Sequence, residues 1–299
     1  MNQHKLIEIL QVQTVSYDQF RMFAKIIREV KSVPDCAFYT HNGNIYVTKG
    51  NADGGYPCLV AHMDTVHDIV ENLTAVPIDG NIIGINQATM IQTGIGGDDK
   101  VGVFIALECL RLFDTIKVAF FRDEETGCEG SYEADMAFFD NCNFVLQCDR
   151  QGNEDFVVEA AGVELSSSKF QFQIGPLLDI FNYQMVSGLM TDVMALKDCG
   201  LSCSAANISC GYFNPHTDHE YVNIDSVEHC FNLVTSIIDQ MGNARFPHIL
   251  EGPGYWRSSV SRQWPAKSLY CMDCWAEEPT ANGYCQSCNE YYSSMMGWR

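Results

Sequence analysis

The sequence is poor in positive charge and contains no long apolar run. Its 299 residues include 18 lysines and arginines against 38 aspartates and glutamates, which gives a formal net charge of −20. Binding to nucleic acid regardless of base sequence depends on lysine and arginine neutralising phosphates, so this charge balance argues against a nucleic-acid partner. No stretch approaches the ~20 apolar residues that a membrane-spanning helix needs. We therefore expect neither nucleic-acid binding nor membrane insertion.

Targeting and low-complexity segments are also lacking. The N-terminus, MNQHKLIEILQVQ, has neither the basic start nor the apolar core of a secretory signal, and no internal repeat is present. Ten of the fourteen cysteines are scattered singly through apolar segments, as buried thiols are in a reducing compartment. These features predict a cytoplasmic protein. Its hydrophobic content of 46% is sufficient for a packed core.

Helical and strand patterns alternate along most of the chain. Apolar spacing predicts helices over 3–12, 17–31 (with Ser16 as N-cap), 100–112, 130–139, 170–182, 191–198 and 225–241. Strands are predicted over 57–61, 116–121, 143–148, 183–186 and 203–209, with hairpins that turn at Asn42–Gly43 and Asp79–Gly80. This order predicts an α/β fold, a three-layer α/β/α catalytic domain with a mixed central sheet, over residues 1–246.

Acids and imidazoles follow the predicted strands. Functional groups of open α/β sheets gather beyond the carboxyl ends of the strands. Five such segments stand out: AHMDTV, GGDDKVG, RDEETG, CDR and HTDHEYV. Any one of them could be a solvated loop, but five together would repel one another unless a cation lay between them. A pair of divalent ions meets that need, and mixed histidine and carboxylate ligation suits zinc, with manganese or cobalt as alternatives.

In order and spacing, these five segments resemble the metal motifs of the co-catalytic di-zinc peptidase clan, which includes peptidase T, the glutamate carboxypeptidase type and zinc aminopeptidases. The match extends over residues 1–240. The resemblance implies a metallopeptidase, a hydrolase that cleaves amide bonds of peptides near an N-terminus. An N-acyl amino acid deacylase of the same clan, which would act on an acylated amino acid, stays as an alternative, as does a non-catalytic metal-binding scaffold.

The resemblance implies five ligands for two active-site ions, taken as zinc, manganese or cobalt. His62 and Asp149 resemble the ligands of one metal. Glu125 and His216 resemble those of the other metal. Asp98, the first acid of DDK, resembles the carboxylate that bridges both. Asp99, the next acid, is expected to anchor the start of the helix or to support the ligands.

Two further acids are implied in catalysis. Asp64 resembles the acid that orients the ring of His62, and Glu124 resembles the general base. Neighbouring acids point in different directions in extended backbone, so one can bind metal while the other takes the proton from a water between the two ions. An intact base argues against a scaffold without activity. Asp123 is the rival base, and His67 and His219 are competing imidazoles.

One departure from the resemblance concerns substrate recognition. Relatives of the peptidase T and carboxypeptidase types carry a lid or dimerisation domain between the position of Asp149 and a helix that begins near Thr191. Here 41 residues, 150–190, separate these landmarks, so we expect the lid to be missing. Arg150, directly after a predicted ligand, is a candidate for binding a substrate carboxylate; the alternative is an ion pair with one of the many acids.

The C-terminal part of the chain has a different character. Residues 247–266 are rich in Gly, Pro, Ser and aromatic residues, which indicates a linker. Residues 267–299 contain a C-x2-C-x10-C-x2-C pattern, typical of a zinc ribbon with one structural zinc: Cys271, Cys274, Cys285 and Cys288. Disulfides or free thiols are the alternative. Aromatic residues of this segment could pack on the catalytic domain or bind a partner, and a homo-oligomer also stays open.

Overall fold

A computed structural model describes residues 1–250 of the protein. The predicted zinc ribbon and most of the predicted linker lie outside these residues. Within 1–250, none of the helices combines the length and the apolar character that crossing a membrane requires. The helices are α1 (Gln3–Leu10), α2 (Phe20–Lys31), α3 (Gly97–Leu112), α4 (Glu129–Tyr132), α5 (Ser168–Phe181), α6 (Asp192–Asp198) and α7 (Ile224–Met241), with a 3-10 helix at Met136–Phe139.

Within residues 1–250, fourteen strands form two sheets. They are β1 (Cys36–His41), β2 (Asn44–Lys49), β3 (Tyr56–His62), β4 (Leu73–Ile78), β5 (Asn81–Asn86), β6 (Ile91–Thr93), β7 (Ile116–Phe121), β8 (Cys142–Arg150), β9 (Asp155–Ala160), β10 (Val163–Glu164), β11 (Gln184–Gly188), β12 (Ser204–Ser209), β13 (Tyr212–Phe213) and β14 (Tyr221–Asn223). The large sheet has the order β1-β2-β7-β3-β8-β12-β9-β10, and β11 pairs with β9. The small sheet has the order β13-β14-β5-β4, and β6 pairs with β5.

The large sheet is mixed and covered on both faces, as predicted. Strands β7, β3, β8 and β12 run parallel to one another, whereas β2 is antiparallel to β7 and β9 is antiparallel to β12. Successive side chains of β3 enter different cores. Leu59 and Ala61 pack with residues of α1, α2, α3, α5 and α7, and Cys58 and Val60 pack with those of α6 and the 3-10 helix. This alternation produces three layers.

Two of the local predictions are wrong. Helix α2 begins at Phe20, and its N-cap is Gln19 rather than Ser16, whose hydroxyl instead donates to Asp64. The helix predicted over 130–139 is divided into α4 and the 3-10 helix, because the side chain of Asp135 accepts from the amide of Ala137 and begins a new turn there. The predicted hairpins are present, and both turns have positive φ at each central residue.

The segment between β8 and α6 contributes to the large sheet. It holds β9, β10, α5 and β11, and each of these strands pairs within that sheet. Buried Phe170 of α5 packs against the rings of Phe144 and Phe156. Residues 151–191 thus form part of the body of the fold. The sequence patterns missed β9 and β10, which are joined by the tight turn of Ala161 and Gly162.

Candidate active site

The ends of neighbouring strands bring the predicted site residues together. Strand β3 lies between β7 and β8 and is parallel to both, so the carboxyl ends of all three meet at one edge of the sheet. Each strand delivers acids or an imidazole there, the turn before α3 adds another acid, and the loop between β13 and β14 adds a second imidazole. The residues are His62, Asp98, Glu124, Glu125, Asp149 and His216.

Asp98 lies between the two imidazoles. Its Oδ1 is 3.1 Å from Nε2 of His62, and its Oδ2 is 3.3 Å from Nε2 of His216. Each oxygen of one carboxylate thus faces a different ring nitrogen. Burial opposes ionisation of Asp98, but hydrogen bonds with His216 and His62 outweigh it and lower the pKa of this carboxyl.

The other acids are distributed on two sides of Asp98. Near His62, Oδ1 of Asp149 is 3.7 Å and Oε2 of Glu124 is 3.9 Å from Nε2 of the ring. On the other side, Oε2 of Glu125 is 3.2 Å from Nε2 of His216. The second oxygen of Glu125, Oε1, is buried and has no hydrogen-bond partner among the described residues. Such an unpaired buried oxygen is available to bind a cation.

Asp64 supports His62 and the two glutamates through hydrogen bonds. Nδ1 of His62 is 3.0 Å from the backbone carbonyl oxygen of Asp64 and 3.4 Å from its carboxylate. With Nδ1 as the donor to that carbonyl, a neutral His62 ring would present the lone pair of Nε2 to a cation. The carboxylate of Asp64 also accepts from the amides of Glu124, at 3.0 Å, and Glu125, at 3.3 Å. Asp64 therefore fixes the His62 ring and the turn that carries both glutamates.

Asp149 is held by three residues that sequence patterns did not identify. Its backbone amide donates to Oδ1 of Asn207, whose Nδ2 donates back to the carbonyl oxygen of Asp149. Gln147 Nε2 donates to Oδ2 of the carboxylate at 3.1 Å, and the Tyr212 hydroxyl donates to Oδ1 at 3.2 Å. The available signal was a polar residue, Gln147, in the otherwise apolar NFVLQC run, two positions before the acid and hence on the same face of β8.

Asp99 is close to the site, but both of its carboxylate oxygens accept hydrogen bonds from backbone amides. Asp99 is fully buried. Its carboxylate forms one group of potential ligand atoms with His62 and Asp149, all within 4.8 Å of one another. His62, Asp98 and Glu125 form a second such group. However, Oδ2 of Asp99 accepts from the amide of His62 at 3.1 Å, and Oδ1 accepts from the amide of Gly102 at 3.0 Å. Both oxygens therefore support the backbone, which favours Asp98 as the shared carboxylate.

The competing residues have other partners. Nε2 of His67 is 2.6 Å from Oε2 of Glu220, a fully buried acid that also accepts from the amides of Gly96 and Asp98. This pair stabilises the glycine-rich turn before α3. The carboxylate of Asp123 accepts from the amide of Tyr17 at 2.6 Å and is bound by Arg122. Its oxygens are thus engaged away from the two imidazoles.

The electrostatics of the cluster favour a bound cation. Burial and the nearby charge of Asp98 raise the pKa of Glu125 to about 8. Burial and Asp98 also raise the pKa of Asp149, and burial raises the pKa of Glu124. Buried carboxylates hold their protons in this way when too little positive charge surrounds them. Together with the unpaired oxygen of Glu125, the donor set of imidazole nitrogens and carboxylates fits a pair of divalent cations.

Arg150 is engaged in an ion pair. Its Nε donates to Oδ2 of Asp155 at 3.1 Å, and both side chains are about one-third exposed. This is the alternative that the sequence left open for Arg150. A role in binding a substrate carboxylate stays a prediction.

Comparison with known proteins reveals similarity in fold. No protein-family model matches the chain. No curated protein matches its sequence. Among solved structures, the aminopeptidase PepT from Bacillus cereus is similar over 79% of this chain and 97% of that chain, with 15% identity and a TM-score of 0.64. A tripeptidase from Staphylococcus aureus is similar over 80% and 97%, with 14% identity and a TM-score of 0.64.

A third similar structure is the TET1 peptidase from Pyrococcus horikoshii, described as assembling into a tetrahedron or a large octahedral shell. It matches 78% of this chain and 98% of that chain, with 14% identity and a TM-score of 0.56. At these identities the similarity shows the fold alone: about four-fifths of the chain shares an α/β fold with these peptidases.

Proposed function

We propose that the protein is a metal-dependent hydrolase that cleaves peptide bonds, acting as an aminopeptidase or a peptidase of small peptides. The observation that carries the proposal is Asp98, whose two carboxylate oxygens lie 3.1 and 3.3 Å from the Nε2 atoms of His62 and His216. One carboxylate shared by two sets of ligands is what a two-metal hydrolytic site requires. The fold shared with PepT and the tripeptidase supports this class of reaction.

The ligand assignment follows from the two sides of Asp98. His62 and Asp149 would hold one ion, Glu125 and His216 the other, and Asp98 both. Zinc is the first candidate, and manganese or cobalt would suit the same ligands. When bound, a pair of such ions lowers the pKa of a water between them and polarises the amide carbonyl. Asn207, Gln147 and Tyr212 would keep Asp149 oriented toward its ion.

Glu124 is the proposed general base. Its amide is fixed on Asp64, and its Oε1 is 3.3 Å from Sγ of Cys128, which donates to it. The other oxygen, Oε2, faces the ligand cluster 3.9 Å from Nε2 of His62. Glu124 would accept a proton from the attacking water and then deliver it to the leaving amide nitrogen, so that the proton is conserved across hydrolysis.

The substrate we propose is a short peptide with a free N-terminus. Arg150 is paired with Asp155 and therefore offers little support for recognition of a free carboxylate, which an N-acyl amino acid would carry. Residues 151–191 belong to the large sheet and the helix on it, which supports a catalytic domain without a lid. The presence of an oriented Glu124 argues against the scaffold alternative, because a binding protein needs no base.

The remaining parts of the proposal concern the whole chain. We propose a catalytic domain over 1–246, a linker over 247–266 and a ribbon over 267–299 with one structural zinc. A homo-oligomer is proposed because a peptidase of similar fold assembles into shells, and the ribbon is a second candidate for contacting a partner. A cytoplasmic location stays a prediction.

The experiment that tests this function is a substrate panel on the full-length protein. The protein would be stripped of metal, reconstituted with zinc, manganese or cobalt, and offered N-acyl amino acids together with matched tripeptides with free, N-acetylated or C-amidated ends. We expect cleavage of the free and C-amidated peptides, with little cleavage of the N-acetylated ones. Cleavage restricted to N-acyl amino acids would favour the deacylase. Two bound metals per catalytic domain without any hydrolysis would favour the scaffold.

A further inference from the structure

The loop between α1 and α2 contacts the ends of two strands of the large sheet. We call residues Thr14–Gln19 the N-terminal loop. Its hydroxyl and carbonyl groups bind the residues that follow β3: Thr14 Oγ1 donates to the carbonyl oxygen of Met63 at 2.8 Å, and Thr65 Oγ1 donates to the carbonyl oxygen of Thr14 at 2.8 Å. These two bonds hold the loop against the segment that carries His62 and Asp64.

The same loop also binds the residue that precedes the proposed base. The amide of Tyr17 and Nε2 of Gln19 both donate to Oδ1 of Asp123 at 2.6 Å, and the amide of Asp123 donates to Oε1 of Gln19 at 3.3 Å. The hydroxyl of Tyr17 donates to Oε1 of Glu129 at 2.8 Å, on the far side of the turn. The loop therefore contacts both flanks of the segment that holds Glu124.

Ser16 lies between these two groups of contacts and bonds directly to Asp64. Its Oγ donates to Oδ2 of Asp64 at 2.8 Å. That oxygen also accepts from the amide of Glu125, while Oδ1 accepts from the amide of Glu124. The carboxylate is fully buried. A buried carboxylate is held in one orientation by the donors that bind it, and removing one donor weakens that restraint.

We propose that Ser16 is a positioning residue: its hydroxyl fixes the rotation of the Asp64 carboxylate, which in turn fixes the turn carrying Glu124 and Glu125. This inference rests on the proposed function, and it makes a loop 48 residues before Asp64 responsible for placing the general base and one metal ligand. The hydroxyl of Ser16 acts on them through Asp64, to which it donates. The bond is charge-assisted, which is the strong kind of hydrogen bond.

The test compares two substitutions with a matched control in the full-length protein. Ser16→Ala removes the hydroxyl, and Ser16→Thr retains it. Ser32→Ala is the control, because the Ser32 hydroxyl donates to the carbonyl of Glu29 at the exposed end of α2. The first measurement is hydrogen–deuterium exchange of a peptide covering 122–128 in the metal-free protein. The second is the absorption spectrum after cobalt loading, and the third is kcat and KM on the cleaved tripeptide.

In Ser16→Ala we expect the amides of Glu124 and Glu125 to exchange about five- to tenfold faster, because they lose a fixed acceptor. The cobalt spectrum should change while two ions still bind. We expect kcat to fall about tenfold, as is typical when a group that supports metal ligands is lost, with KM changed less than about twofold. Ser16→Thr should restore most of each effect, and Ser32→Ala should behave like the unmodified protein.

Two results would overturn the inference. One is exchange at Glu124 and Glu125 in Ser16→Ala equal to that of the unmodified protein. The other is equal impairment in Ser16→Ala and Ser16→Thr, which would assign the effect to side-chain volume rather than to the hydroxyl. Failure of the proposed function has a different signature, since the unmodified protein would then cleave none of the peptides. The exchange measurement on the metal-free protein decides the role of Ser16 in that case as well.

Discussion

At the scale of single residues, Glu124 differs from its neighbours in what binds its side chain. Cys128 Sγ donates to its Oε1 at 3.3 Å, and burial keeps the pKa of that thiol high, so Cys128 stays a donor. Asp123 on one side is bound by Arg122 and the N-terminal loop, and Glu125 on the other faces His216. Three consecutive acids therefore have three different sets of partners, and the tasks proposed for them follow from those partners rather than from residue type.

Replacement of the proposed base tests its task directly. Glu124→Gln keeps the size of the side chain but cannot accept a proton, so we expect turnover to fall on the order of a hundredfold or more. Metal content and melting temperature should be nearly unchanged. Glu8→Gln is the matched control, since Glu8 is an exposed acid that pairs with Lys25 on a neighbouring helix, away from the cluster. Near-normal activity of Glu124→Gln would remove this residue from the mechanism.

The adjacent pair Asp98 and Asp99 provides a second residue-level test. Asp98→Ala should lower the occupancy of both ions, because both sets of ligands share this carboxylate. Asp99→Ala should leave metal content nearly normal but reduce the free energy of unfolding by about 1–3 kcal/mol, because the buried amides of His62 and Gly102 lose their acceptor. Metal analysis and urea unfolding of each variant measure the two effects.

Asp99→Asn is the control for that comparison, because its amide oxygen can still accept from one of the two backbone amides. It should recover part of the lost stability. Equal metal loss in Asp98→Ala and Asp99→Ala, or loss only in the latter, would contradict the assignment of the shared carboxylate to Asp98.

At the scale of elements, the turn before α3 is packed between the small sheet and the site. Glu220, just before β14, accepts from the amides of Gly96 and Asp98 at 2.6 and 3.2 Å. Gly97 between them has no room for a side chain: a Cβ there would lie 2.6 Å from Cβ of Tyr212 and 2.8 Å from Cγ2 of Val222. The small sheet thus determines where α3 begins, and with it the position of Asp98.

Gly97→Ala should therefore disturb the metal site through the element rather than through a ligand. The added methyl would push the turn away from Tyr212, so we expect two-metal affinity to fall about tenfold or more. Gly175→Ala is the matched control, since Gly175 lies in α5 with nothing within 4 Å of an added Cβ. It should be neutral or slightly stabilising, because alanine favours a helix over glycine. Titration with cobalt measures both affinities.

At the scale of the whole molecule, two kinds of metal site are proposed in one chain. The carboxylate and imidazole site must stay open to substrate, whereas four thiolates of a ribbon leave no open position. The cysteines of the ribbon lie outside the described residues. A strong acid excess, 38 against 18 basic residues, accompanies both kinds of site.

The zinc content of the full-length protein should therefore approach three per chain, with about one ion resisting brief treatment with a mild chelator. Activity should disappear with the two labile ions and return when zinc, manganese or cobalt is added. Cys271→Ser combined with Cys288→Ser should remove the resistant ion and keep the labile pair. A full-length protein that binds only two zinc ions, both labile, would contradict the ribbon.

Local patterns in the sequence were sufficient for the strands that carry the site. The fully buried strands β3 and β7 are predictable because nearly continuous apolar runs indicate strands buried on both faces, and acids follow directly at their ends. Parallel order then implied that these ends would meet. The fold class and the proximity of the predicted ligands were thus available before any coordinates, because both depend on hydrophobic burial and strand direction.

Only the tertiary structure decided which groups hold the ligands in place. Ser16 looked like a helix cap, yet its hydroxyl binds Asp64, 48 residues away; Asn207 binds Asp149 across 58 residues. Such contacts produce no periodic pattern in the sequence. A single hydrogen bond requires one polar atom at one position and places no constraint on the residues beside it in the sequence. Hydrophobic periodicity, in contrast, is repeated along every element that forms the core. Hydrophobic and polar patterns in the sequence therefore determine the layers and the types of the proposed ligands. The packing of distant loops determines the orientation of those ligands.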